Sequence, residues 1–274
     1  MQHEFEIKPQ HAFTLGLREL WEHRELLYFF SLRDIKVKYK QTVLGVLWSV
    51  LQPLLLAILF TVFLGKPVAN QVNLGMPYAL FSFSGLVIWG IFSSGLNNAG
   101  NSMVTNANII RKIYFPRLII PISAVLVSVF DFVTAFIVFL IFCFAKGYNI
   151  HLSAILYFPL AVMLTCIATF GAGTLLAALN IKYRDFRYII PFMIQFLLFV
   201  SPVIYPLSIA SNKVLNIAAK INPMSAALEL FRAPLNAGIV NWETIGISGC
   251  SALIILIAGL YYFRKTEAYF ADLA

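Results

Sequence analysis

Residues 51–64, LQPLLLAILFTVFL, carry no charged side chain, and Gln52 and Thr61 are their only polar residues. A strand of a membrane barrel alternates apolar and polar residues over about ten positions. This run is instead continuously apolar, which leaves the helix as the way to satisfy its backbone groups in lipid. A helix crosses the roughly 30 Å hydrocarbon core with about 20 apolar residues. Working outward from residues 51–64, six stretches qualify, at about 43–65, 76–97, 117–144, 152–179, 188–210 and 244–263. The predicted class is an all-α membrane protein.

Composition agrees. The 274 residues are 60% hydrophobic and 12% charged, against roughly 45–50% and about 25% in soluble domains. Too little polar surface remains for a soluble monomer, a disordered chain or an ordinary cytosolic enzyme. Cys143, Cys166 and Cys250 all lie in apolar stretches without C-x-x-C spacing, which points to neither a disulfide framework nor a zinc site. No signal-peptide pattern is visible in residues 1–10, so the first span is expected to direct insertion.

The net charge of +8 is read with the bilayer, not with nucleic acid. Lys8, Arg18, Arg24, Arg33, Lys36, Lys38 and Lys40 precede the first span. Arg111, Lys112 and Arg117 follow the second, Lys182, Arg184 and Arg187 follow the fourth, and Arg264 and Lys265 follow the sixth. Only Lys66, Lys146, Lys213, Lys220 and Arg232 fall on the other side. Basic residues mark cytoplasmic segments, so both termini are expected inside. This divides the chain into a cytoplasmic segment, 1–42, a six-span domain, 43–263, and a cytoplasmic tail, 264–274.

Three segments are not spans. In residues 11–41, Leu17, Leu20, Trp21, Leu27 and Tyr28 recur at helical spacing opposite charged residues, the pattern of an amphipathic interface helix. In residues 97–116, Ile109, Ile110, Ile113 and Tyr114 share one face of an expected short helix suited to docking in a groove of another protein. Residues 206–242 are too broken to span, and re-entrant or interfacial helices fit them. They read either as a mobile outer gate or as helices packed at the membrane surface.

Two features inside the spans carry function or packing. Tyr188, Phe192, Phe196 and Phe199 form one helical face, as do Phe132, Phe136 and Phe139. Such stripes either stack on sugar rings or pack against helices and lipid. Asp131 is the one acid deep in a span, and its insertion cost of ~2.5–3.5 kcal/mol calls for a partner or a wet cavity. No phosphate-binding loop, metalloprotease motif or hydrolase elbow is present. A membrane-embedded transferase or a proton-coupled carrier finds little support, because the remaining acids and histidines lie outside the spans.

Several motifs together resemble one family. Residues 33–53 (RDIKVKYKQTVLGVLWSVLQP) resemble a pattern of polysaccharide ABC exporter permeases, R-x-x-K-x-x-Y-x-x-T-x-L-G-x-x-W followed by Pro. Residues 108–121 (NIIRKIYFPRLIIP), 179–186 (LNIKYRDF) and 221–223 (INP) are similar to the family's first and second inside loops and its outer segment. The O-antigen exporters are the most similar branch, with capsule and teichoic-acid exporters nearby. The resemblance implies a homodimer in the bacterial inner membrane, bound to two copies of a separate ATPase subunit that holds ATP and Mg, with no cofactor in this chain. The implied cargo is a lipid-linked polysaccharide; a smaller lipid or drug is the alternative. Leu17, Trp21, Asn108, Ile109, Arg111 and Lys112 would receive the ATPase's motion. Arg33, Lys36 and Lys40 would meet the lipid's pyrophosphate headgroup or anchor the chain at the basic side. Trp48, Asp131, Tyr188, Phe192, Phe196 and Phe199 would line the pathway, and Pro202, Pro206 and Pro223 would belong to the outer gate.

Overall fold

A computed structural model describes residues 17–40, 42, 44–72, 74–207, 213–236 and 238–267. Its elements are helices: α1 Leu17–Glu22, α2 Arg24–Lys40, α3 Leu47–Gln71, α4 Tyr78–Thr105, α5 Ala107–Ile110, α6 Ile119–Ala145, α7 Ala154–Lys182, α8 Phe186–Val200, α9 Lys213–Ile221, α10 Pro223–Arg232 and α11 Trp242–Glu267. Five of them, α3, α4, α6, α7 and α11, are long and apolar enough to cross a membrane.

The fifth expected span differs. α8 ends at Val200, ten residues before the predicted limit, because the chain turns at residues 201–203 ahead of Pro206. Its 15 residues rise about 22 Å, less than the hydrocarbon thickness. The second expected span is longer than predicted, since α4 continues to Thr105. The short helix expected in residues 97–116 is a single turn, α5. Ile113 and Tyr114 lie beyond it, 60% and 77% exposed, while Ile110 is buried.

α4 is the central helix. It packs against α3, α6, α7, α8 and α10 and is buried over most of its length. Its buried hydroxyls are satisfied within the helix: Ser84 donates to the Phe81 carbonyl at 2.9 Å and Ser102 to the Ala99 carbonyl at 2.6 Å. This is how a helix keeps polar residues in an apolar interior. α7 and α11 cross closely at two glycines. A Cβ on Gly171 would lie 2.5 Å from the Leu256 Cα, and one on Gly259 would overlap the Gly171 carbonyl oxygen. Small residues let membrane helices approach until their backbones touch.

The two ends of the bundle are built differently. At one end Phe30 of α2, Ile110, Phe115, Ile119 and Phe263 form a cluster, and Arg117 donates to the Glu267 carbonyl oxygen. The α2 helix, the α5 turn and the C-terminal end of α11 therefore sit together. At the other end the His151 amide donates to the Pro234 carbonyl at 2.8 Å and the Tyr78 hydroxyl to the Ile204 carbonyl at 2.7 Å. The inner face of α6 is an aromatic core, with Phe132, Phe136 and Phe139 in ring contact with Phe231 of α10 and Phe136 also against Phe158 of α7.

The α7–α11 crossing predicts a contrast. Gly259→Ala should destabilise the protein by about 1–3 kcal/mol, the usual range for overpacking. Gly249→Ala, on the same helix with nothing within 4 Å of the added methyl, should stay within about 0.5 kcal/mol of wild type. Unfolding temperatures of the two variants in detergent decide it.

Candidate functional site

The chain between α2 and α3 turns through Gly45, whose φ of +48° is the left-handed region that favours glycine. That turn brings the end of α2 and the start of α3 together against the middle of α6. Lys38 and Tyr39 both reach Asp131, the lysine as an ion pair and the tyrosine as a hydrogen-bond donor. Just beyond them the hydroxyls of Ser49 and Thr134 share a hydrogen bond of 2.6 Å. Asp131 is 9% exposed, so the acid in the apolar span has the partners its burial demands. Burial first, and then the hydrogen bond and charge of Asp131, raise the Tyr39 hydroxyl well above its ordinary pKa. It therefore stays protonated and donating at physiological pH.

Beside this cluster lies an open cavity of about 180 Å³ between the α2–α3 turn, α4 and α6. Trp48, Ser49, Gln52, Trp89, Ser93 and Ser94 supply its indoles, hydroxyls and amide. Of the expected pathway residues, Trp48 and Asp131 line this cavity, although Asp131 is held by Lys38 and Tyr39 instead of standing free. Tyr188, Phe192, Phe196 and Phe199 lie elsewhere, on a face of α8 that is 54–80% exposed at each of the four, opposite the fully buried Ile190. The two aromatic stripes thus have different fates, α6 packed into the core and α8 exposed.

The expected headgroup residues also separate. Arg33 donates to Asp34 at 2.7 Å and to the Asn106 side chain at 2.8 Å, and its guanidinium lies 4.6 Å from the Phe30 ring. It ties α2 to the α4–α5 junction. Lys36 and Lys40 are exposed on the same helix. Among the expected coupling residues, Asn108, Arg111 and Lys112 are exposed around α5 and Ile109 is half-buried. Trp21 is 72% exposed, whereas Leu20, Leu26 and Leu27 pack against the cluster around Phe30. The apolar face of the N-terminal segment is therefore rotated away from Trp21 and Tyr28. Leu17 opens α1, but its side chain lies outside the described residues, as do residues 1–16 and 268–274.

At the opposite end the three prolines fall around a hydrogen-bonded joint. Asn222 caps α10 by accepting from the Met224 amide at 2.9 Å, and it donates to Ser201 at 2.7 Å. Ser248 of α11 donates to the Asn222 carbonyl at 2.6 Å and accepts from the Ala226 amide at 2.8 Å. Pro223 occupies the first turn of α10, where its missing N–H is harmless. The Pro202 carbonyl receives the buried Arg232 guanidinium at 2.6 Å; the same group donates to Val203 and Phe81 carbonyls and lies 3.6 Å from the Phe81 ring. Pro206 is half-buried nearby. In the sequence Lys38 and Arg232 stand out only as basic residues, and Asn222 only as part of residues 221–223 (INP). Tyr39 stood in the quoted 33–53 pattern, but Lys38 is paired with an acid 93 residues away, a relation with no local signal. Among the described residues no group of three or more His, Cys, Asp or Glu side chains could hold a metal ion.

The Asp131 cluster predicts two variants. Lys38→Ala leaves the carboxylate with Tyr39 alone and should lower stability by about 1.5–3 kcal/mol, the range for a hydrogen bond to a charged group. In wild type the folded state holds the Tyr39 proton above about pH 10, where an unfolded tyrosine releases it. Stability then falls as pH rises past that point, and Tyr39→Phe should make the fall shallower. Thermal unfolding from pH 7 to 11 measures both.

The chain is 32% identical over 249 residues to the O-antigen export system permease protein RfbA of Klebsiella pneumoniae, covering 91% of this chain and 95% of that one. It is 28% identical over 262 residues to the RfbA of Myxococcus xanthus, covering 93% and 98%. It is 22% identical over 239 residues to the polysialic acid transport protein KpsM of Escherichia coli, covering 86% and 91%. Residues 25–235, from the second residue of α2 to the turn after α10, match the family described as ABC-2 type transporter. With its central α4, its α5 turn beside α2 and its broken α9–α10 segment, the chain belongs to the ABC-2 type transporter family of membrane permeases.

Proposed function

We propose that this chain is the transmembrane subunit of an ATP-driven exporter that moves a lipid-linked, O-antigen-like polysaccharide across the bacterial inner membrane. The observation that carries the reading is the unpartnered aromatic face of α8, Tyr188, Phe192, Phe196 and Phe199, in a chain similar along nine-tenths of its length to O-antigen export permeases. Aromatic faces stack on the C–H faces of sugars and tolerate many glycans. Exposed apolar residues on α3, among them Leu55, Leu59, Val62 and Phe63, supply a second unpartnered surface. Two copies of this chain, meeting through α3 and α8, would enclose a path between those faces.

The basic residues gather at the end holding α2, α5 and the C-terminal end of α11, which the positive-inside rule assigns to the cytoplasm. α8 would complete six crossings, the bilayer thinning locally to suit its short length. Lys36 and Lys40 would meet the pyrophosphate headgroup of the carrier lipid. Asn108, Arg111 and Lys112, exposed on the α5 turn, would dock in a groove of the ATPase, whose two copies hold ATP and Mg. The α9 and α10 helices, with Pro202, Pro206 and Pro223 at their joints, would form the outer gate. A capsular polysaccharide is the second reading, supported by the likeness to the polysialic acid transport protein.

Gentle purification from native membranes, followed by mass spectrometry, tests the assembly. A nucleotide-binding ATPase in equal amount is expected, and the double variant Arg111→Glu/Lys112→Glu should weaken its retention about tenfold, or ~1.4 kcal/mol. A chain that comes out alone and is active in glycosyl transfer or proton-coupled uptake overturns the reading. The lipid-linked glycan that accumulates in the cytoplasmic leaflet of a deletion strain identifies the cargo.

A further inference from the structure

The cavity beside Asp131 has more polar capacity than the protein uses. Trp89 is 5% exposed and lines it, yet its indole N–H donates to no group among the described residues. That N–H is not fully buried, so it remains open to a ligand. Gln52 makes no hydrogen bond among those residues either, and Ser93 has only a long contact of 3.4 Å to the Gly90 carbonyl. Trp48, on the rim, is 53% exposed. Among the described lining residues the one cation, Lys38, is neutralised by Asp131, which leaves none of them with a positive charge to hold a phosphate. An acyl chain would leave the amide, the indole N–H and the hydroxyls unanswered. At about 180 Å³ the space is well below the roughly 300–1,000 Å³ of pockets for larger organic ligands, so it suits one small polyhydroxylated ring.

We propose that this cavity is a sugar subsite, taking a single uncharged pyranose ring of the cargo against Trp48, with its hydroxyls bonded to Gln52, Ser93 and the Trp89 N–H. The proposal rests on the export reading and makes it more specific. The carrier lipid's phosphates stay outside, near the exposed Lys36 and Lys40, while the ring nearest the lipid is read in the cavity at the α2–α3 turn. Cargo selection then depends on that ring's hydroxyl pattern, whereas the α8 face is indifferent to it.

The test uses the permease–ATPase complex in nanodiscs of phosphatidylethanolamine and phosphatidylglycerol, with Trp21→Phe and Trp242→Phe so that Trp48 and Trp89 report. The probes are dodecyl glucoside, galactoside and mannoside, with dodecyl phosphate and dodecanol as controls. Saturable fluorescence change with at least one glycoside and neither control is expected, weakened roughly fivefold to tenfold by Gln52→Leu or Ser93→Ala, as loss of one hydrogen bond implies. Saturation by dodecanol or dodecyl phosphate, unchanged glycoside affinity in both variants, or no response to any glycoside overturns the subsite. A photo-crosslinker in place of Leu56, another lining residue, should capture cargo in cells that synthesise it. Capture of a resident glycolipid instead overturns the assignment to cargo. ATP-dependent export by the wild-type complex is measured in parallel: its absence counts against the export reading, while its presence with a failed binding result counts against the subsite alone.

Discussion

A carboxylate in the middle of an apolar helix has to be answered by the protein, because lipid cannot hydrate it. Asp131 is answered by Lys38 and Tyr39, and that requirement organises one side of the molecule. It draws the end of α2 along α6 to the level of Asp131, so that α3 starts beside the middle of α6 and not at its end. Gly45 makes the turn that this demands, and the cavity lined by Trp48, Gln52 and Trp89 is what the turn leaves open. One buried charge thereby links α2 to the wall of the transmembrane region.

The remaining packing divides surfaces that are to stay together from surfaces that are left free. Glycines at the α7–α11 crossing and hydroxyls folded back onto α4 allow close helix contacts. The phenylalanines of α6 interlock with Phe158 and Phe231. The aromatic face of α8 and the outer face of α3 have no such neighbours among the described residues. Phe-rich stripes at the same helical spacing therefore serve opposite ends, and what separates them is whether another helix arrives to cover them.

At the far end, polar groups substitute for the length that α8 lacks. Asn222, Ser201 and Ser248 join the end of α8, the start of α10 and α11 in one network. Arg232 supplies hydrogen bonds to the carbonyls that the turn at residues 201–203 releases from the helix. Backbone that leaves the helical ladder inside a membrane protein must find such partners, and the buried guanidinium provides them from a single side chain.

Much of this was legible in the sequence because it follows from local composition. The apolar run at 51–64 and its counterparts dictate helices, since lipid offers their backbones no other partner, and the lysines and arginines cluster in the segments between them. The motif at 33–53 and the order of the other motifs pointed to the polysaccharide exporter permeases. The helix that stops at Val200, the single turn at α5 and the rotated face that leaves Trp21 exposed were not legible, because each depends on what packs beside it. The same holds for the site. Sequence marked Asp131 as an acid in need of a partner, but Lys38 lies 93 positions earlier and is one basic residue among seven in its segment. Only the approach of α2 to α6 selects it, because pairing across a buried interface is fixed by distance in space, on which separation along the chain is silent.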